Sequence, residues 1–186
     1  MLKQSIHRAA TLAIVGLTAT YATAVFANPM VGGAPMFENK NIVENAVNSK
    51  VHTTLVAAVK AAGLVDTLSS SGPFTVFAPV NQGFEMLPKG TVETLLKTEN
   101  KGKLTKVLTA HVVAGKISGQ MLWDKANANG GRYNMQTVSG DALTAVLKGK
   151  NLYIYDESGG AAKVTTADVN QSNGVIHVID HVLLPK

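Results

Sequence analysis

"NGVIHVIDHVLLPK", residues 173–186, brings His177, Asp180 and His181 within five positions on an otherwise aliphatic run. Read as a helix, it would set His177 and His181 one turn apart, close enough to share a zinc ion. The residues argue for a strand instead. Asn173-Gly174 opens the run as a turn signal, Val and Ile dominate it, and Pro185 closes it. On a strand, residues four apart share a face but lie roughly 13 Å apart. Two imidazoles so separated do not meet one metal at about 2 Å each, so no metal site and no cofactor are expected. Catalysis by His177 or His111, oriented by Asp180, needs a nucleophile held within hydrogen-bond reach. The chain has no cysteine, no G-x-S-x-G elbow and no H-E-x-x-H. Asp180 and His181 should face opposite sides of the strand, with Asp180 near the core and bonded to backbone donors. His177 and Asp180 therefore read as structural, and a histidine-dependent hydrolase is the weaker alternative.

Outward from this strand, the second half of the chain is a series of short runs: "YNMQTV", "ALTAVLK", "NLYIY" and "AKVTT". Gly, Asp, Asn and Ser separate them, as in an antiparallel sheet with tight connections. The first half is mostly helical. "NIVENAVNS" (41–49) and "HTTLVAAVKAAG" (52–63) carry apolar residues at helical spacing, with Gly63 at a C-cap position. "SSSGP" (69–73) interrupts the helices, and "FTVFAP" (74–79) reads as a strand ended by Pro79. Asn81 is placed to N-cap the helix that follows, "QGFEMLP", and further helical stretches lie at 91–97 and 103–112. Helices followed by strands within one unit point to an α+β fold.

Residues 1–27 have the three parts of a secretory signal peptide. Lys3, His7 and Arg8 form the positive end, "AATLAIVGLTA" (9–19) the apolar core, and Val25 with Ala27 the small-residue cleavage site. Cleavage near Ala27 leaves 159 residues, the size of one domain, without a membrane span and destined for the periplasm or the exterior. Zero cysteines means that the core alone must hold this domain together. "NPMVGGAPM" reads as part of a flexible leader over 28–37, before a domain spanning 38–186. Without the signal, 15 Lys and Arg oppose 12 Asp and Glu, and the only basic cluster is "KTENKGKLTK" (97–106). A solvated helix face accounts for that cluster, so nucleic acid is not an expected partner.

Three stretches taken in order resemble the fasciclin domain family. "GPFTVFAPVNQGFEMLPKGTVETLL" (72–96) resembles its first signature box, and "NGVIHVIDHVLLP" (173–185) its closing box. "LTAHVVAGK" (108–116) is similar to the central Tyr-His stretch, with Ala110 at the Tyr position and Ala114 where Pro is common. The resemblance covers about 38–186. It implies a wedge-shaped β-sandwich of about seven strands with helices packed at one end. It further implies a non-enzymatic adhesion or extracellular binding module that contacts cell-surface or matrix proteins or polysaccharide. In some animal members the central stretch is associated with receptor contacts, which makes His111, Val112 and Val113 the binding candidates. A periplasmic structural or stress-related protein acting through a protein partner is the alternative function. Tyr153 and Tyr155 alternate on one strand, and Trp123 and Tyr133 flank the turn at 130–131. If exposed, these rings would suit sugar stacking; if buried, they fill the core. "NQS" (170–172) fits an N-glycosylation acceptor in a eukaryotic secretory pathway. The sequence leaves oligomeric state open.

Overall fold

A computed structural model describes residues 28–186, and the signal peptide read over 1–27 lies outside the described residues. The strand reading of the C-terminal run is correct, and its placement organises the molecule. β9 (Gly174–Ile179) is buried along its whole length and lies in the interior of a seven-stranded sheet. β3 (Phe74–Pro79) runs parallel to it, with Phe74 beside Gly174 and Pro79 beside Ile179. On the far side of β3 comes β4 (Val112–Ala114). On the far side of β9 come β8 (Ala161–Gln171), β7 (Asn151–Tyr155), β6 (Ala142–Lys148) and β5 (Arg132–Gln136), each antiparallel to its neighbour. One bridge between Val113 and Thr137 draws the two edges of the sheet together. The expected seven-stranded sandwich is thus one sheet curled nearly into a barrel, and the α+β class holds.

Alternation along β3 explains why both of its faces are buried. Val76 and Ala78 point into one apolar cluster, together with Ile176 and Val178 of β9. Covering that cluster are α1 (Ile42–Ala46), α2 (Thr53–Ala62), α3 (Val65–Ser69) and α6 (Lys101–Thr109), through Ile42, Val59, Leu68 and Leu108. Phe77 and Ile179 point the opposite way, into a second cluster with Leu143, Ile154 and Ala162 from the antiparallel strands. Leu122 of α7 (Gly119–Ala128) completes it. Two short helices, α4 (Asn81–Glu85) and α5 (Thr91–Leu95), follow β3.

Local chemistry sets the helix ends. Asn41 and Glu44 form a reciprocal capping box on α1, and Gly63 ends α2 in the left-handed region at φ 72°. Ser118 caps α7, a helix that the hydrophobic pattern alone did not reveal.

Residues 28–36 depart from the expected flexible leader. β1 (Met30–Val31) and β2 (Ala34–Pro35) form a hairpin, and Val31, Ala34 and Met36 are buried in the helix-side cluster. Gly32 and Gly33 supply the positive-φ turn. A Cβ on Gly32 would stand 2.5 Å from the Ser49 hydroxyl, so glycine is also what lets the hairpin dock.

Candidate functional site

α6 ends at Thr109, with Ala110 as its C-cap, and delivers His111 into the interior at 2% exposure. Its Nδ1–H donates to the Val107 carbonyl at 2.8 Å, and Nε2 accepts from the Leu183 amide at 2.9 Å. This pair of bonds defines a neutral imidazole with the proton on Nδ1. Burial pushes the His111 pKa down to about 4, against the Val107 bond and the Asp156 charge. Val112 and Val113 are each 4% exposed and feed the two core clusters separately. In this conformation none of the three binding candidates presents a surface to a partner. His111 instead clamps the end of α6 to the C-terminal segment.

His177 is fully buried on β9. Its Nε2–H donates to the Ile117 carbonyl at 2.8 Å, Nδ1 accepts from the Asp168 amide at 3.3 Å, and its ring stacks on Phe77. Burial lowers its pKa, opposed by the Ile117 bond and the Asp168 charge. Both nitrogens are committed to backbone groups. Among the described residues no group of His, Asp and Glu is arranged to hold a metal ion.

Asp180 and His181 correct part of the sequence reading. The strand ends at Ile179, so the alternation that was to separate them has already stopped. Asp180 Oδ1 accepts from His181 Nδ1 at 2.7 Å and from the Lys163 amide at 2.8 Å. The backbone donor was expected; the setting is a half-exposed bend rather than the core.

Asn81 also acts differently from the expectation. Val80 is the N-cap of α4, and Asn81 is the first helical residue. The Asn81 side chain crosses to α2, accepting from the Thr54 amide at 3.1 Å and donating to the Lys50 carbonyl at 3.0 Å. It therefore caps a neighbouring helix whose own N-cap, His52, offers no side-chain bond.

Two buried polar links escaped the sequence reading. Asn173 accepts from the Ile42 amide and donates to the Leu68 and Ser70 carbonyls, tying α1 and α3 to the start of β9. Ser49 Oγ lies 2.9 Å from His52 Nδ1, a Ser-His pair with spacing i, i+3. Both residues are buried, and among the described residues His52 Nε2 has no hydrogen-bond partner and no carboxylate orients this imidazole. The pair lacks the third group and the solvent access that nucleophilic catalysis requires.

With His111, His177 and Asn173 committed to the fold, open clefts are the candidate contact surfaces. One, of about 480 Å³, lies between the start of α2 and α4–α5 and is lined by Asn81, Phe84, Glu85 and Glu93. Another, of about 330 Å³, separates α7 from β7 and β8 and is lined by Trp123 and several polar side chains. Of the other aromatic candidates, Tyr133 packs on the barrel-side cluster under Lys125, while Lys148 covers both Tyr153 and Tyr155.

Comparison with known proteins gives this architecture its relatives. The model of the fasciclin domain matches residues 50–185. The chain belongs to the fasciclin domain family. It is 51% identical over 144 residues to protein sll1483 of Synechocystis, an alignment covering 77% of this chain and 73% of that one. It is 33% identical over 145 residues to the cell surface glycolipoprotein MPB83 of Mycobacterium bovis, covering 75% of this chain and 58% of that one. Among solved structures, the fasciclin domain pair of the insect cell adhesion molecule fasciclin I superposes with a TM-score of 0.69 at 19% identity. That match covers 78% of this chain and 51% of the pair, and shows the shared fold.

Proposed function

We propose that this fasciclin domain protein is an exported, non-enzymatic binding module that mediates contact at the cell exterior. The observation that carries this reading is the match of the domain to a family of adhesion-related proteins over residues 50–185. The relative MPB83, a cell surface glycolipoprotein, supports the location, as does the signal-like sequence of residues 1–27. Among the described residues no helix is long and apolar enough to cross a membrane. The buried histidines support a binding rather than a bond-making role, because each has backbone or core neighbours where a catalyst would face substrate. We place the processed N-terminus at Asn28, so that the hairpin of β1 and β2 stays with the domain.

The test is binding of the labelled, host-exported protein to intact cells, with an unrelated domain of matched charge as control. Saturable binding above the control is the expected result. Binding no better than the control, together with one protein co-purifying stoichiometrically from the periplasm, would replace this reading with a periplasmic partner. The mass of the exported protein tests cleavage after Ala27.

A further inference from the structure

The cleft between α7 and strands β7 and β8 combines an aromatic side chain, apolar side chains and polar groups. Its wall is Trp123, the single tryptophan of the chain, which is half-buried on α7. Its floor is Leu152 and Val164, where the barrel-side cluster reaches the surface. Around the rim stand Asn151, Thr165 and Asp168. The pairing of β8 with β9 shifts register between Val164 and Thr166, and again between Thr166 and Val169. Such bulges bend the strand and re-aim its side chains, here beside the cleft.

Asp168 is exposed, yet two hydrogen bonds and its backbone conformation fix its place. It is the one non-glycine residue of positive φ among those described, at 58°. Its amide donates to His177, and its Oδ1 accepts from the Gly119 amide at 2.7 Å. A Cβ on Gly119 would stand 2.9 Å from Asp168 Oδ2, so the missing side chain leaves room for the carboxylate. The buried His177 thus acts as an anchor for a carboxylate at the cleft. Non-glycine residues in the left-handed region concentrate at functional sites.

We propose that this cleft binds a neutral pyranose unit of an extracellular polysaccharide, with Trp123 against the sugar face and Asn151, Thr165 and Asp168 at its hydroxyls. A pyranose has an apolar C–H face and a periphery of hydroxyls that both donate and accept. An aromatic wall, an apolar floor and a rim of amide, hydroxyl and carboxylate match that pattern. The volume, about 330 Å³, falls at the small end of ligand sites. Lys150 and Asp168 bring one charge of each sign to the lining, which gives no selection for a polyanion. The proposal rests on the binding-module reading and names its ligand chemistry.

The single tryptophan supplies the assay. The full chain is titrated with cellotetraose, chitotetraose and tetragalacturonate while Trp123 emission is followed, and calorimetry repeats each titration. A saturable emission change with at least one neutral tetrasaccharide is expected. Asn151→Ala, at an exposed position, should weaken binding about tenfold, the value of one lost hydrogen bond. Trp123→Phe should retain weaker calorimetric binding, and Trp123→Ala with an unchanged circular dichroism spectrum should abolish it. The proposal is overturned by no saturable response to either neutral tetrasaccharide, by a response to tetragalacturonate alone, or by binding indifferent to Asn151→Ala and Trp123→Ala. Cell binding without a glycan response would remove this cleft and leave the module reading intact. A glycan response without cell binding would keep the cleft and remove the cell-surface contact.

Discussion

Acidification from neutral pH should loosen this domain, and His111 sets the scale. In the unfolded chain its imidazole takes up a proton near pH 6.5, whereas in the folded protein it does so only near pH 4. Between these values the unfolded state binds more protons, so stability falls as pH falls. From pH 7 to pH 5 the linkage from His111 alone amounts to about 2 kcal/mol, a large share of a typical 5–15 kcal/mol. His52 and His177 are also lowered by burial and add loss of the same sign. The measurement is urea denaturation at closely spaced pH values between 7.5 and 5. The midpoint should drop steadily with an unchanged slope against urea. A His111→Gln variant should be less stable at pH 7, because the Val107 and Leu183 bonds are disturbed, yet lose about 2 kcal/mol of the pH dependence. A midpoint that stays level to pH 5 would refute the argument, as would a His111→Gln variant with the full wild-type slope.

Other perturbations test the packing and caps by the same denaturation. Met36→Ala should cost about 2–5 kcal/mol, because Met36 is 2% exposed in the helix-side core; a residue in a flexible leader would change stability by less than about 0.5 kcal/mol. Asn81→Ala should cost about 1–2 kcal/mol by uncapping α2, measured as a shift in midpoint, while Asn81→Asp keeps the acceptor for Thr54 and should cost less. Gly174→Ala should prevent accumulation of folded protein in a limited-proteolysis assay, since the added Cβ would meet the Phe74 carbonyl oxygen at 2.1 Å at the first rung of the parallel ladder.

The elements that could be read in advance are those whose signals are local. Phe74–Pro79 is a β-branched and aromatic run between Gly-Pro and Pro, and it forms a strand over those residues. Gly63 ends α2 because only the adjoining backbone decides that cap. The hairpin of β1 and β2 was hidden because Pro and Gly mark both a flexible segment and a tight turn. What separates the two is docking of Val31 and Met36 against residues far along the chain. Asn81 illustrates the same limit at a single side chain. Its type announces a cap, but the amide it satisfies belongs to Thr54, in a helix that only the tertiary fold brings near. For the candidate site, the structural reading of His177 followed from strand geometry. The burial of His111, Val112 and Val113 did not, because their stretch lies at the meeting of two clusters. Trp123 was visible as a residue without a setting, since its cleft depends on where the bulges of β8 place Thr165 and Asp168.

The parallel ladder between β3 and β9 joins residues one hundred positions apart at every rung, from Phe74 with Gly174 to Pro79 with Ile179. A growing chain therefore carries its first long strand for a hundred residues before that partner exists. Until then β3 and β8 each lack the neighbour that separates them, leaving open edges able to pair with other chains. Long-range pairing of this kind makes for slow folding. Any product that stops before residue 174 is not a slightly smaller version of the domain but a chain whose sheet is split between β3 and β8, with both strands open to chaperones and proteases.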